Sequence, residues 1–234
     1  MVDKDAIRTR IWDRLERDGI ARFPFPPRGR ISNFDGAREA ADRAIELPEL
    51  ATATAVKANP DAPQLPLRRR LLKGGTTVYM AVPRLAEEAC FVELDPAEIA
   101  DLDAAPTVSH LSEYGARVEP SALAGIDAIV VGSVAVDDSG TRIGKGEGYS
   151  DLEYAVLREI GLVDDDTTTV TTVHDVQVVE ETLTPDAHDV PVDVVCTPTR
   201  TIRTDGGPKP TGIDWSTLDD ARREEIPILD RLSS

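Results

Sequence analysis

From Gly140 to Asp151 the chain reads Gly-Thr-Arg-Ile-Gly-Lys-Gly-Glu-Gly-Tyr-Ser-Asp, which sets three alternating glycines, Gly144, Gly146 and Gly148, among two cations and two carboxylates. Without a Cβ, such residues take positive φ angles freely, and successive main-chain N–H groups can turn onto one bound anion. Arg142 and Lys145 would neutralise a phosphate held there, and a helix opening near Ser150 would add its positive N-terminal end. Asp151 suits either a divalent cation, through a carboxylate oxygen, or the acidic first turn of that helix. The generic nucleotide motifs do not fit. Gly140 to Lys145 is one residue short of a P-loop, Gly146 stands where Ser or Thr is required, and Tyr149 occupies the last glycine of the dinucleotide pattern. On residue type alone a surface turn explains the loop as well as a phosphate cradle does.

Other reactive side chains are less pointed. His174-Asp175 and His188-Asp189 pair an imidazole with a carboxylate, but neither has the spacing of a zinc site, and hydrogen-bonded turns or strand ends explain them equally. Cys90 and Cys196 lie far apart without a C-x-x-C spacing, which predicts free buried thiols.

A glycine loop works only if rigid elements hold it. The run Ile126-Asp127-Ala128-Ile129-Val130-Val131-Gly132 before it is β-branched and apolar, as in a strand buried on both faces. Ile7, Ile11 and Leu15 at helical spacing predict a first helix over Lys4–Arg17, ending before Phe23-Pro24-Phe25-Pro26-Pro27. A second helix is expected from Gly36 to about Leu47, and a later one carries Arg68, Arg69 and Arg70. Strands are expected over Thr52–Val56, Thr76–Pro83, Cys90–Leu94, Thr168–Val173, Asp193–Thr197 and Arg200–Arg203, and the tail from Asp214 should hold one helix ending near Pro227. This alternation predicts an α/β fold with a mostly parallel central sheet between helical layers, in a single domain over residues 1–234.

Forty-three acidic against 26 basic residues give a formal charge of −17, which argues against nucleic acid and anionic membranes as partners. Only Lys4, Lys57, Lys73, Lys145 and Lys209 are lysines, and the excess of aspartate suggests a salt-adapted, halophilic protein whose dense surface charge is screened by salt. No apolar run reaches the length of a membrane span, and Met1-Val2-Asp3-Lys4-Asp5 lacks a signal-peptide pattern, so a soluble, cytoplasmic protein is expected. No pattern specifies an oligomeric state.

The Arg142–Asp151 segment resembles the Arg-Leu-Gly-x-Gly-x-Gly-Tyr-Tyr-Asp stretch of the 5-formyltetrahydrofolate cyclo-ligases, also called methenyltetrahydrofolate synthetases. Lys4-Asp5-Ala6-Ile7-Arg8 is similar to the family's Lys-x-x-x-Arg at the start of the first helix. His188-Asp189-Val190-Pro191-Val192-Asp193-Val194-Val195 is similar to its His-Asp followed by an Asp-led strand. The three matches fall in family order. The Asn-Pro-Asp-x-Pro-Gln segment at Asn59 and Thr172-Val173-His174-Asp175 resemble a divergent branch, the methenyltetrahydrofolate-synthetase-domain proteins.

The resemblance implies a NagB/RpiA/CoA-transferase-like three-layer sandwich that uses ATP and Mg2+ to convert 5-formyltetrahydrofolate, or a related pterin, into the 5,10-methenyl form. It implies nucleotide-phosphate contacts for Lys4 and Arg8, one helical turn apart on one face, and phosphate-neutralising roles for Arg142 and Lys145. It also implies a cradle of Gly144, Gly146 and Gly148, a magnesium ligand in Asp151, and a place for Tyr149 against the pterin or the sheet. Glu147 brings negative charge to this cradle and can point inward, outward or onto magnesium beside Asp151. The family's folate-engaging glutamate after an early strand has no matching glutamate within Val56–Gln64. Two alternatives accompany the ligase reading: a nucleotide- or pterin-binding protein without phosphoryl transfer, and an RNA-associated protein using Arg68–Arg70.

Overall fold

The computed structural model describes residues 3–233; Met1, Val2 and Ser234, at the ends of the expected domain and of the N-terminal stretch read for a signal peptide, lie outside the described residues. Helix α1, Lys4–Arg17, forms as its spacing predicts. It buries Ile7, Ile11, Trp12 and Leu15 on one stripe, and the Asp3 carboxylate accepts hydrogen bonds from the N–H groups of Asp5 and Ala6. Two-residue strands β1, Ala21–Arg22, and β2, Asn33–Phe34, then pair across the proline-rich turn. Helices α2, Ala37–Ile45, and α3, Pro48–Ala51, precede β3, Ala55–Ala58. Strand β3 begins later than the expected Thr52 because Thr52 N–H closes α3 onto Pro48 and Thr54 N–H donates to Asp127.

The chain continues through α4, Leu65–Lys73, β4, Thr77–Ala81, and β5, Phe91–Leu94. Helix α5, Leu111–Tyr114, and strands β6, Ala116–Val118, and β7, Ala128–Val131, follow. Strands β8, Ala135–Val136, and β9, Arg142–Ile143, form an antiparallel pair ahead of α6, Tyr149–Glu159. The remainder is β10, Thr168–Thr172, β11, Val194–Cys196, β12, Thr201–Arg203, and two helices, α7, Asp220–Glu225, and α8, Pro227–Leu232. The tail therefore holds two helices where one was expected. Pro227 lacks an N–H and is tolerated at the start of α8, so it opens a new helix instead of ending the old one.

Eight strands make one sheet in the order β12-β11-β10-β7-β3-β4-β5-β6. The five from β11 to β4 are parallel, and β12, β5 and β6 add antiparallel edges. Strands β3, β7 and β11 are buried at every position, as strands covered on both faces must be. On one face Leu67, Leu71 and Leu72 of α4 and Ala41 and Ala44 of α2 pack on Val56, Val78 and Val130. On the other, Leu152, Val156 and Leu157 of α6 and Ile228 and Leu229 of α8 share a core with Ala55, Ile129 and Val131. This is the expected three-layer α/β arrangement. Lys57 alternates with Val56 along β3 and so belongs to the face that α6 covers. No helix among the described residues is long and apolar enough to cross a membrane.

Cys90 and Cys196 are free and buried. Burial pushes their thiols up to about 12 and about 11, which makes both inert at neutral pH.

Candidate functional site

Strand β9 gives the glycine loop a fixed entry and α6 gives it a fixed exit. Gly146 has φ +107° and Gly148, the residue preceding α6, has φ +70°, conformations closed to most side chains. Pairing of β9 with β8 draws Arg142 inward, so it is buried at the end of a strand instead of standing on a surface turn. Its Nε donates to Val190 O at 3.1 Å and its Nη1 to Gly132 O at 3.3 Å, while Nη2 makes a close ion pair with Asp151 Oδ1. That same oxygen accepts from Val190 N–H at 3.0 Å. Arg142 and Asp151 thus tie the loop to the strand that precedes it and to the segment leading into β11. The second oxygen of Asp151 accepts no hydrogen bond among the described residues.

A cavity of about 340 Å³ opens against this loop. It lies past the carboxyl ends of β7, β3 and β4, bordered by Gly132, by Asn59 to Asp61 and by Val82 to Arg84, the usual place for a ligand in a parallel sheet. Lys145 and Glu147 reach it from the loop, but they are paired with each other at 2.7 Å. The orientation of Glu147, open in the sequence, is therefore onto Lys145. Tyr149 and Ser150 line the cavity where α6 begins, and Arg142, Asp151 and Glu153 complete its charged wall.

Asp61 is the carboxylate that sequence reasoning missed. Half-buried on the cavity wall, its side chain has no hydrogen-bond partner among the described residues. Burial pushes its pKa up, while Lys145 and Arg68 pull the other way. It packs so closely on the end of β7 that a Cβ at Gly132 would stand 2.8 Å from its Oδ2. The available signal was positional: Asp61 comes just after the carboxyl end of a buried strand, where parallel sheets place ligands.

Lys57 was missed as well. It is 1% exposed, forms a close ion pair with Glu153 on α6, and donates to Asn59 Oδ1 at 2.6 Å. Asn59 in turn donates to Ser150 Oγ at 3.2 Å. This chain of polar contacts fastens the segment bearing Asp61 to the helix that ends the glycine loop. A lysine inside the apolar run Ala-Val-Lys-Ala was its visible mark, together with a glutamate on the apolar stripe of α6.

The structure places the two expected phosphate contacts of α1 differently. Among the described residues neither Lys4 nor Arg8 lines the cavity. The Lys4 ammonium bridges Asp186 and Asp189 at 2.7 and 2.6 Å. Burial opposes that charge, but the two carboxylates outweigh it and hold the Lys4 pKa above its usual value. Arg8 sits beside the loop and donates from Nε to Gly144 O at 2.8 Å, with Nη1 on Asp5. His188-Asp189 forms a turn: Asp189 accepts from Asp186 N–H, and His188 is exposed. His174 opens a short 3-10 turn, its Nδ1 accepting from Val176 N–H.

The basic triplet does not form one exposed basic patch. Arg68 is buried, and its guanidinium donates to the carbonyls of Asn59, Pro60, Asp61 and Pro106. Arg69 and Arg70 bind Asp103 and Asp42. All three guanidinium groups are therefore already partnered within the chain.

A family model described as the 5-formyltetrahydrofolate cyclo-ligase family matches residues 1–198. The chain is 43% identical over 237 residues to the methenyltetrahydrofolate synthase domain-containing protein of Mus musculus, and 42% identical over 234 residues to that of Bos taurus. Those alignments take in 99% and 97% of this chain but 63% and 61% of the relatives, so the chain spans less than two thirds of their length. Its fold is similar to a solved structure of the 5,10-methenyltetrahydrofolate synthetase of Aquifex aeolicus. The TM-score is 0.54 at 21% identity, covering 88% of this chain and 95% of that one.

Proposed function

Because the chain belongs to the 5-formyltetrahydrofolate cyclo-ligase family, we propose that it converts 5-formyltetrahydrofolate, or a related formylated pterin, into the 5,10-methenyl form at the expense of ATP. One observation carries the reading: a single cavity has the glycine loop with Lys145 on one wall and the free carboxylate of Asp61 on another. A phosphate donor and a pterin placed against those two walls would meet inside it.

The chemical difficulty is that a formyl oxygen is a poor leaving group. Transfer of the γ-phosphoryl group to that oxygen converts it into a good one, the pterin's N10 attacks the formyl carbon to close the ring, and inorganic phosphate departs. No enzyme nucleophile is needed, so catalysis rests on alignment and on charge neutralisation. Lys145 supplies a mobile cation beside the phosphates. Arg142 acts one step back, through the loop and Asp151 that it fixes. Asp61 accepts hydrogen bonds from the paired N–H donors along the pterin's pyrimidine edge, taking the part of the family glutamate that Val56–Gln64 lacks. Tyr149 lines the same cavity. Arg8 holds Gly144, and Lys4 would reach a phosphate only by leaving Asp186 and Asp189.

The donor set fits magnesium. Three cations, Arg84, Arg142 and Lys145, face four carboxylates, Asp61, Glu147, Asp151 and Glu153, around the cavity, so a polyphosphate needs a further positive charge there. Magnesium would supply it when bound, and the unbonded oxygen of Asp151 is the protein ligand suited to hold the ion.

The test is the appearance of methenyltetrahydrofolate absorbance from 5-formyltetrahydrofolate, ATP and magnesium, with ATP omitted as control. Low and high potassium chloride are compared, which also tests the salt adaptation that the composition implies. ATP-dependent turnover is expected, falling about 100-fold in Lys145→Ala, the scale for removing one group that stabilises transition-state charge. Unaltered turnover in that variant would remove the phosphate from the loop. The internal pairing of Lys145 with Glu147 favours one rival, a binding protein without phosphoryl transfer, and ATP affinity with no turnover would select it. Under the ligase reading Glu147→Gln releases Lys145 and removes a nearby negative charge. The KM for ATP should then fall about fivefold, the equivalent of roughly 1 kcal/mol in a solvated site; a raised KM would instead make Glu147 a contributor to binding.

A further inference from the structure

The residues that the family model matches stop at 198, yet the glycine loop is held from beyond that point. Arg222, on α7, donates from Nη2 to Glu147 O at 2.6 Å. Its guanidinium lies 4.7 Å from the centre of the Tyr149 ring, within cation–π range, and a Cβ at Gly148 would stand 3.6 Å from Nη2. Glu225, from the last turn of α7, accepts from the Tyr149 hydroxyl at 3.5 Å and pairs with Arg84 of the cavity wall at 3.3 Å. Helix α7 is itself anchored. Asp219 caps its first turn by accepting from Arg222 N–H, Arg223 donates to Trp215 O at 2.6 Å, and Ile226, Ile228 and Leu229 are buried in the core that α6 shares.

We propose that Arg222 is a positioning residue that sets the glycine loop for anion binding, working as the second jaw of a clamp whose first jaw is Arg8. Peptide geometry links each carbonyl to the N–H that follows it. A trans peptide is planar, with its C=O and N–H pointing opposite ways, and among the described residues only Phe23-Pro24 and Phe25-Pro26 are cis. Arg8 holds the carbonyl of Gly144, which turns the N–H of Lys145 away from Arg8. Arg222 holds the carbonyl of Glu147, which turns the N–H of Gly148 away from Arg222. Among the described residues no group accepts a hydrogen bond from either N–H. Lys145 and Gly148 both line the cavity, and unpartnered main-chain donors at the ends of a glycine-rich loop are what an oxyanion such as a phosphate recognises. A stretch with three glycines in five residues loses more conformational entropy on ordering than one without glycine, so it gains from such fasteners in being preorganised. The stack on Tyr149 couples the same arginine to the wall of the cavity.

This inference rests on the nucleotide-binding reading for its ligand, though the clamp can be tested without one. In the chain of residues 1–234, main-chain N–H order parameters from NMR relaxation at residues 144–148 are compared between wild type, Arg222→Ala and Arg222→Lys, alongside ATP affinity by equilibrium dialysis. Loss of a charge-assisted hydrogen bond should take the loop from the rigid range, about 0.85, to below about 0.6 in Arg222→Ala and weaken ATP about tenfold. Order parameters in α6 beyond its first turn and in β10 should stay unchanged, and turnover should show the loss in KM for ATP more than in kcat. Arg222→Lys restores the charge and one donor but not the fork and the flat stack, so it should recover part of both effects. Unchanged loop order parameters in a folded Arg222→Ala overturn the clamp, and if that variant does not fold, values equal to wild type in Arg222→Lys, with ATP affinity undiminished, do so. Lower loop order in a protein that binds no ATP in any form would sustain the clamp and refute the nucleotide reading.

Discussion

Lys57→Met lowers the free energy of unfolding by about 3–5 kcal/mol, the usual cost of leaving one member of a buried ion pair without its partner. Lys57 is 1% exposed and Glu153 6%, so the carboxylate that remains has little water to turn to. In a chain of this length the loss should appear as a drop of roughly 6–20 °C in melting temperature, at about 2–4 °C per kcal/mol. The effect belongs to the charge left behind more than to the contact removed. The double variant Lys57→Met/Glu153→Leu should therefore recover most of the stability, since an apolar pair of similar volume often replaces a buried ion pair without loss. Turnover should not recover with it. Lys57 also holds Asn59, which leads into Asp61 and binds Ser150 at the start of α6, and neither methionine nor leucine can do that. Thermal melts of the two variants decide the point: a single variant as stable as wild type would mean that the pair is not buried as described.

The contrast between Lys57 and Arg142 shows what the sequence could disclose. Periodicity found α1, the buried run before the loop and the alternation that makes a covered parallel sheet, because each depends on residues near in sequence. It placed Arg142 in a loop, since the partner strand that buries it, Ala135–Val136, is two residues long and carries no pattern of its own. The family resemblance marked Arg142, Lys145 and Asp151 as a group, but only the fold reveals that Arg142 and Asp151 neutralise each other while Lys145 pairs with Glu147. Lys4 and Arg8 share a helix face, as their spacing requires. Where that face points was decided by Asp186, Asp189 and the carbonyl of Gly144, all more than 130 positions away. Pairings at such separations, like the reach of α7 back to the loop, leave no mark in local composition.

Asp61→Asn should move stability and activity in opposite directions. Burial raises the carboxyl's pKa above its ordinary 3.8, so ionising Asp61 is harder in the folded chain than in the unfolded one. The sign follows from linkage. Below 3.8 both states are protonated and the group contributes nothing, whereas above the folded pKa the folded state bears the full cost of the charge. Asparagine never ionises, so the variant should melt higher than wild type at neutral pH. That advantage should shrink as pH falls through the folded pKa and vanish near 3.8. Under the ligase proposal turnover should fall about 100-fold, because the amide offers one acceptor where the carboxylate offers two and would turn a donor towards the N–H groups of a pterin bound there. A residue kept for packing would behave otherwise: its replacement would lower the melting point and leave turnover nearly intact. A gain in stability with a loss of turnover is the mark of a charge held at some cost for a ligand. Melting curves across pH for the two proteins, set beside their rates at neutral pH, separate these cases. A variant that is less stable at neutral pH and equally active would return Asp61 to the scaffold and leave the cavity without its second wall of chemistry.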